Sequence, residues 1–279
     1  MSQPAIRAEN LRFAYDAKAR GGADVLQELS FTATEGRITG LLGPNGSGKS
    51  TTFKILSTQI RPSGGEAWVM GRSVLFEQSL VREALGVTFQ SPSLDPWLSV
   101  RENLQIHAAL YGLAPQAAKA RVEEVLEVFR LQERASERVK TLSGGLARRA
   151  ELAKTLLPSP KILLLDEPTT GLDPRARLEF WEELRRLRDG GMSLLVTTHL
   201  MDEADLCDDL LFLNEGKLVA QGTPAQLKGE LNVEVLEARG PGLKAQEARL
   251  RELLGAGVNL QWGQATLADV YLEKTGRKL

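Results

Sequence analysis

A chain of 279 residues, 42% hydrophobic and 25% charged, is long enough to bury a full core and too apolar to stay disordered. Its 35 basic and 36 acidic side chains leave a net charge of −1, which excludes bulk attraction to nucleic acid or anionic lipid as the organising interaction. The single cysteine, Cys207, excludes an internal disulfide, the opening segment carries neither the basic nor the apolar stretch of a secretion signal, and apolar runs such as 162–165 and 210–213 fall far short of the roughly 18 to 20 residues a membrane helix needs; a reducing cytosol is expected.

Residues 6–13 and 25–32 read as two short strands separated by the charged, glycine-containing stretch 16–24, which predicts a hairpin or meander. The apolar run 37–42 is a strand, residues 43–50 form a glycine-rich loop, and 51–56 have a helical pattern. Between 99 and 157 the character changes to long amphipathic runs, at 100–110 and 116–129, with few β-branched residues, so a helical insertion is expected. Alternation then resumes: strand 162–165, helix 174–188, strand 193–197, helix 201–206 and strand 209–213, a succession that predicts a parallel α/β sheet. Beyond 222 the pattern weakens into a strand at 233–238 and helices at 243–254 and 267–274, a small α/β tail.

Three segments carry chemistry. Gly43, Pro44, Asn45, Gly46, Ser47, Gly48, Lys49 and Ser50 match G-x-x-x-x-G-K-[ST] between a strand and a helix. Such glycines let backbone N–H groups and the positive end of a helix close on phosphate oxygens. Lys49 suits the β and γ phosphates, Ser50 a Mg²⁺ ion, and Thr51 the α-phosphate region. Asp166 and Glu167 end an apolar strand, where open α/β sheets bind ligands, and suit Mg²⁺ and the attacking water respectively. Taken alone, such a pair is also compatible with a solvated strand end. The turn Ser143, Gly144, Gly145 opens a helical run and is either a second anion site or an ordinary helix cap at Ser143.

With Thr141 and Leu142 before it, that turn resembles the signature motif of the ABC ATPases, placed between the two phosphate-site segments as in that family. The resemblance covers about residues 5–225 and implies an α/β P-loop fold of ABC ATPase type, with an antiparallel β subdomain at the N-terminus, a helical signature subdomain over about 91–160 and, after 1–225, a small α/β extension over 226–279. It further implies that Gln90 senses Mg²⁺ and the attacking water. His199 bonds the γ phosphate, Asp173 belongs to a loop crossing a dimer interface, and Tyr15 stacks on adenine. Ser143, Gly144 and Gly145 would bind ATP held by a second copy or paralogue. Leu146 departs from the glutamine or other polar residue the family often has; since backbone N–H groups supply most of that loop's grip, ATP binding is expected to survive.

The runs starting at Pro168, Thr198, Ala220 and Thr266 resemble exporter ATPases of the ABC-2 or daunorubicin-resistance type. Expected is therefore a Mg²⁺-dependent ATPase at the inner face of a membrane, powering a separately encoded permease, with no nucleic-acid partner. The alternatives are a non-transport ABC ATPase, acting on ribosomes, DNA ends or iron–sulfur assembly, and a nucleotide-sensing module without turnover. Cys207 is expected to be a packing residue, His107 a surface residue, and the acidic run 202–209 a solvated helix face.

Overall fold

The computed structural model describes residues 4–15, 24–230, 235–237 and 261–263. Strands β1 (Pro4–Phe13) and β2 (Leu26–Thr34) pair antiparallel as the alternation predicts, β2 burying Leu26, Leu29, Phe31 and Ala33 on one face. After β2 the chain forms β3 (Ile38–Leu42), the glycine loop and α1 (Lys49–Leu56). Next come β4 (Gly64–Val69), β5 (Arg72–Ser73), α2 (Gln78–Ala84) and β6 (Leu85–Thr88), none of which the sequence pattern had marked. The outer sheet is antiparallel, in the order β2-β1-β4-β5.

Helices α3 (Val100–Leu110), α4 (Pro115–Val128) and α5 (Gly144–Thr155) form the expected helical insertion. Local chemistry sets their starts: Ser99 and Glu102 make a reciprocal capping box, Pro115 occupies the first turn of α4, and Ser143 Oγ accepts from Leu146 N–H at 3.3 Å. The chain then alternates through β7 (Ile162–Asp166), α6 (Pro174–Asp189), β8 (Ser193–Thr198), α7 (Met201–Ala204), β9 (Asp209–Asn214), β10 (Lys217–Gly222) and α8 (Pro224–Gly229). A pair of short strands, β11 (Val235–Glu237) and β12 (Gln261–Gly263), runs antiparallel. Of the expected tail, the strand at 233–238 overlaps β11, and the helices at 243–254 and 267–274 lie outside the described residues.

The inner sheet has the order β10-β9-β3-β8-β7-β6. Five strands are parallel, but β10 runs antiparallel to β9, so the sheet is mixed at one edge instead of wholly parallel. The two-residue link Glu215–Gly216 permits only a reversal, because a parallel return needs a crossover of a dozen or more residues. Both faces are covered, and the strand period of two decides which side chain meets which layer. Leu163, Leu165, Leu194 and Val196 join the core built with α3 to α6, while Ile162, Leu164, Leu195 and Leu41 join Phe53 and Ile55 of α1 and the outer sheet. This arrangement brings the C-terminal ends of β3, β6, β7 and β8 to one edge.

Three smaller expectations meet the structure here. Cys207 is a buried packing residue whose thiol is pushed well up by burial, then by Glu203 and Asp208. The acidic run is not wholly solvated: Glu203 is 1% exposed, because two threonine hydroxyls and Arg177 surround its carboxylate. His107 is half-buried, and burial and then Lys154 push its pKa down.

Candidate active site

At the end of β3 the chain turns through the glycine loop into α1. A Cβ at Gly43 would lie 2.3 Å from the Leu213 carbonyl oxygen, and Gly48 sits at φ +102 with Leu26 Cδ2 only 2.6 Å from where a Cβ would be. Neither position accepts a larger residue without moving backbone or core. Gly48 offers α1 no side-chain cap, so its first-turn N–H groups face the loop mouth free for an anion. Asn45, Gly46 and Ser50 are exposed there, Pro44 is half-buried, and the buried Ser47 hydroxyl has no hydrogen-bond partner among the described residues. Lys49 is buried, its Nζ donating to the carbonyls of Gly43 at 2.8 Å and Pro44 at 3.1 Å. Burial pushes its pKa down, against the pull of Glu167 and Asp166.

The two carboxylates follow on β7. Thr197, one strand over, donates to Asp166 Oδ1 at 2.5 Å and accepts from the Glu167 N–H at 2.9 Å, which holds both acids in register. Glu167 adopts φ +44, a left-handed conformation a non-glycine residue occupies at some cost. Its carboxylate gathers three partners: Gln90 Nε2 at 3.3 Å, the Thr170 hydroxyl at 3.2 Å and His199 Nδ1 at 3.2 Å. Gln90 follows β6 and His199 follows β8, so three neighbouring strand ends converge on one acid. Burial pushes the Asp166 pKa up; Thr197 opposes this, and the adjacent Glu167 charge adds to it.

The residues fit a magnesium ion. Asp166 Oδ2 has no hydrogen bond among the described residues, and the Ser50 hydroxyl is exposed beside Lys49. Among the described residues no cluster of three or more His, Cys, Asp or Glu could enclose a metal. One hydroxyl and one carboxylate, with a substrate completing the shell, is how Mg²⁺ is commonly held.

Tyr15 lies at the rim, 62% exposed, with its hydroxyl 3.3 Å from Thr51 Oγ1 and its ring edge-on to Phe13. Ser143, Gly144, Gly145 and Asp173 do not join this group. Ser143, Gly145, Leu146 and Asp173 instead line a separate cleft of 290 Å³ with Arg175 and Glu179. Asp173 caps α6, accepting from Ala176 N–H at 2.9 Å. Among the described residues no polar contact of 143–146 reaches the glycine loop. Leu146 packs against the helical core, which accounts for an apolar side chain there.

Several contributors had no signal in the sequence pattern. Thr197 looks like any strand residue, and Thr170 like any loop residue. Buried Glu203 accepts from Thr169 and, at 2.6 Å, from Thr198, tying the loop after Glu167 to the one bearing His199. Arg148 and Glu151 on α5 hold the segment around Gln90. Arg148 donates to the Phe89 carbonyl at 3.1 Å, and Glu151 accepts from Ser93 N–H at 2.6 Å and Leu94 N–H at 2.8 Å.

A glycine loop with a buried lysine, opening a helix and facing an Asp-Glu pair at the ends of parallel strands, defines a P-loop nucleoside triphosphatase. The model of the family described as ABC transporter matches residues 26–170. The chain is 43% identical over 241 residues to the Nod factor export ATP-binding protein I of Burkholderia lata, covering 86% of this chain and 78% of that protein. It is 38% identical over 307 residues to the protein of the same name from Burkholderia pseudomallei strain 1710b, covering 100% and 99%. Among solved structures, cbiO1 from Clostridium perfringens, part of the ABC transporter complex cbiONQ, superposes with a TM-score of 0.75 at 25% identity, covering 91% of this chain and 99% of that one. The chain belongs to the ABC transporter family, as an ATP-binding subunit that hydrolyses ATP.

Proposed function

We propose that this chain powers an export transporter of the ABC-2 type, with residues 1–225 as the ATPase domain, about 91–160 as its helical subdomain and 226–279 as a separate extension. The loop 43–48, Lys49 and Thr51 hold the triphosphate, and Tyr15 takes the adenine face. Ser50, Asp166 and Gln90 hold Mg²⁺, which when bound neutralises phosphate charge. The observation that carries this reading is the convergence of Gln90 and His199 on the Glu167 carboxylate, at 3.3 and 3.2 Å. Arrival of ATP gives both side chains a new acceptor and frees the carboxylate. Glu167 then takes a proton from water as its oxygen attacks the γ phosphorus and the bond to the β,γ-bridging oxygen breaks, leaving ADP and phosphate.

Ser143, Gly145 and Asp173 line a separate cleft, which supports their completing, with Gly144, the site of a second subunit. ATP then closes a head-to-tail pair, and differential affinity for closed and open states drives the transporter. Among the described residues no helix is long and apolar enough to cross a membrane. We place a separately encoded permease against the 690 Å³ groove lined by Arg82, Leu110, Tyr111, Leu113, Arg121 and Leu157, where Leu110 is 74% exposed, and the subunit at the inner membrane face. Export as the direction is supported by relatives named for Nod factor export. The deciding experiment is Glu167→Gln: turnover should fall by roughly 100- to 10,000-fold while light scattering shows an ATP-bound dimer accumulating. Unchanged turnover removes Glu167 from its role.

A further inference from the structure

Arg148 reaches two loops at once. Its Nε donates to the Pro168 carbonyl at 2.6 Å and its Nη1 to the Phe89 carbonyl at 3.1 Å, with Nη2 3.5 Å from the Asp166 carbonyl. Pro168 follows Glu167 directly, and Phe89 precedes Gln90 directly. One guanidinium therefore sets the spacing between the two chain segments whose side chains meet at 3.3 Å. The residue stands on the second turn of α5, five positions after Ser143, whose side chain caps that helix. Glu151, three positions further and on the same helix face, holds the other end of the Gln90 segment through the amides of Ser93 and Leu94.

All three acceptors of Arg148 are backbone carbonyls, and among the described residues it makes no ion pair. A planar fork with donors on fixed bearings is what such a three-point contact requires; a lysine ammonium on a flexible stem does not reproduce it. Arg148 is half-buried, and burial pushes the guanidinium pKa down, against Glu151 and Asp166.

Resting on the roles proposed above for Gln90 and Glu167, we infer that Arg148 is a positioning residue for hydrolysis, fixing the Gln90 and Glu167 loops to the helix that carries the Ser143 turn. Movement of α5, when its turn meets nucleotide on the second subunit, is thereby passed to both loops by one side chain.

The test is steady-state turnover of the full chain carrying Arg148→Ala, Arg148→Lys or Gln90→Ala, and of the Arg148→Ala/Gln90→Ala double variant. Affinity for ATP is titrated separately with a fluorescent analogue. Arg148→Ala should lower kcat by roughly 10- to 100-fold, since displacement of a catalytic group by about 1 Å has that effect, with affinity for the analogue within about threefold. Arg148→Lys should recover little, while added guanidinium ion should restore part of the activity of Arg148→Ala. In the Gln90→Ala background, loss of Arg148 should cost less than in the native chain, because only its hold on the Glu167 loop is then left to lose. If Arg148→Ala does not fold, Arg148→Lys still reports on the geometry, and full activity of that variant overturns the inference. So does a weakened affinity at unchanged kcat, or two single losses that simply multiply. Glu167→Gln run alongside separates the failures: normal turnover there sinks the parent reading, whereas a dead Glu167→Gln with active Arg148 variants sinks this inference alone.

Discussion

Replacing Glu151 by alanine strands a buried charge. The Lys154 ammonium, whose side chain is 7% exposed, lies 2.9 Å from the Glu151 carboxylate and also contacts the Ser93 hydroxyl. Breaking such a pair from one side costs about 3 to 5 kcal/mol, because the remaining ion keeps its desolvation without its partner. The Leu94 N–H, in a buried residue, also loses its acceptor, which moves the expected cost toward the upper end. Ser93 is exposed, so water can replace the bond to its amide. Urea unfolding followed by tryptophan fluorescence, with buried Trp181 as one reporter, should show this loss as a lower midpoint at nearly unchanged slope. Glu151→Met/Lys154→Met removes both charges and should recover the part of the loss due to the stranded ammonium, leaving about 1 to 3 kcal/mol for the Leu94 amide. A Glu151→Ala loss below about 1 kcal/mol, the range of surface pairs, would refute the reasoning, as would a double variant weaker than the single one.

The same carboxyl predicts a pH dependence. Burial pushes its pKa up, but the Lys154 charge and hydrogen bond and the Ser93 and Leu94 amides outweigh it, holding the folded value below the ordinary 4.5. The stability it contributes is therefore complete above that ordinary value and is lost as pH falls through the folded one. Thermal midpoints taken across the acid range should fall more steeply for the native chain than for Glu151→Met/Lys154→Met; parallel curves count against the assignment. At the glycine loop, Gly48→Ala should weaken ATP binding at least about tenfold, since φ +102 strains any side chain and its Cβ would press on Leu26. A fluorescent-nucleotide titration checks this, and undiminished affinity would show that the loop tolerates rearrangement.

Much of the site was legible because its demands are local. A loop that wraps phosphate needs glycines at set positions and a lysine at the helix start, and a strand that is buried throughout and then ends in two acids announces where the sheet meets its ligand. The strong periodicities of 100–110 and 174–188 likewise reappear as α3 and α6, within a residue of the expected ends. Strand β6 was not legible. Its four residues are too few to show a period, and their place beside β7 is set by pairing with a strand some seventy-five residues later in the chain.

The amino-acid sequence by itself determined the loop chemistry, the order of strands and helices from α3 to β9, and the kinship with a family of ATPases. Only the tertiary structure decided which residues meet. Gln90 and Glu167 are 77 positions apart, and nothing local in either segment specifies that β6, β7 and β8 lie side by side. Nor could the pattern reveal that Glu151 and Glu203 are buried, or that Arg148 spans two loops. An acid on a solvated helix face and one sealed in a hydrogen-bonded network occupy the same place in a helical repeat, and what separates them is the neighbouring element that folding brings against it.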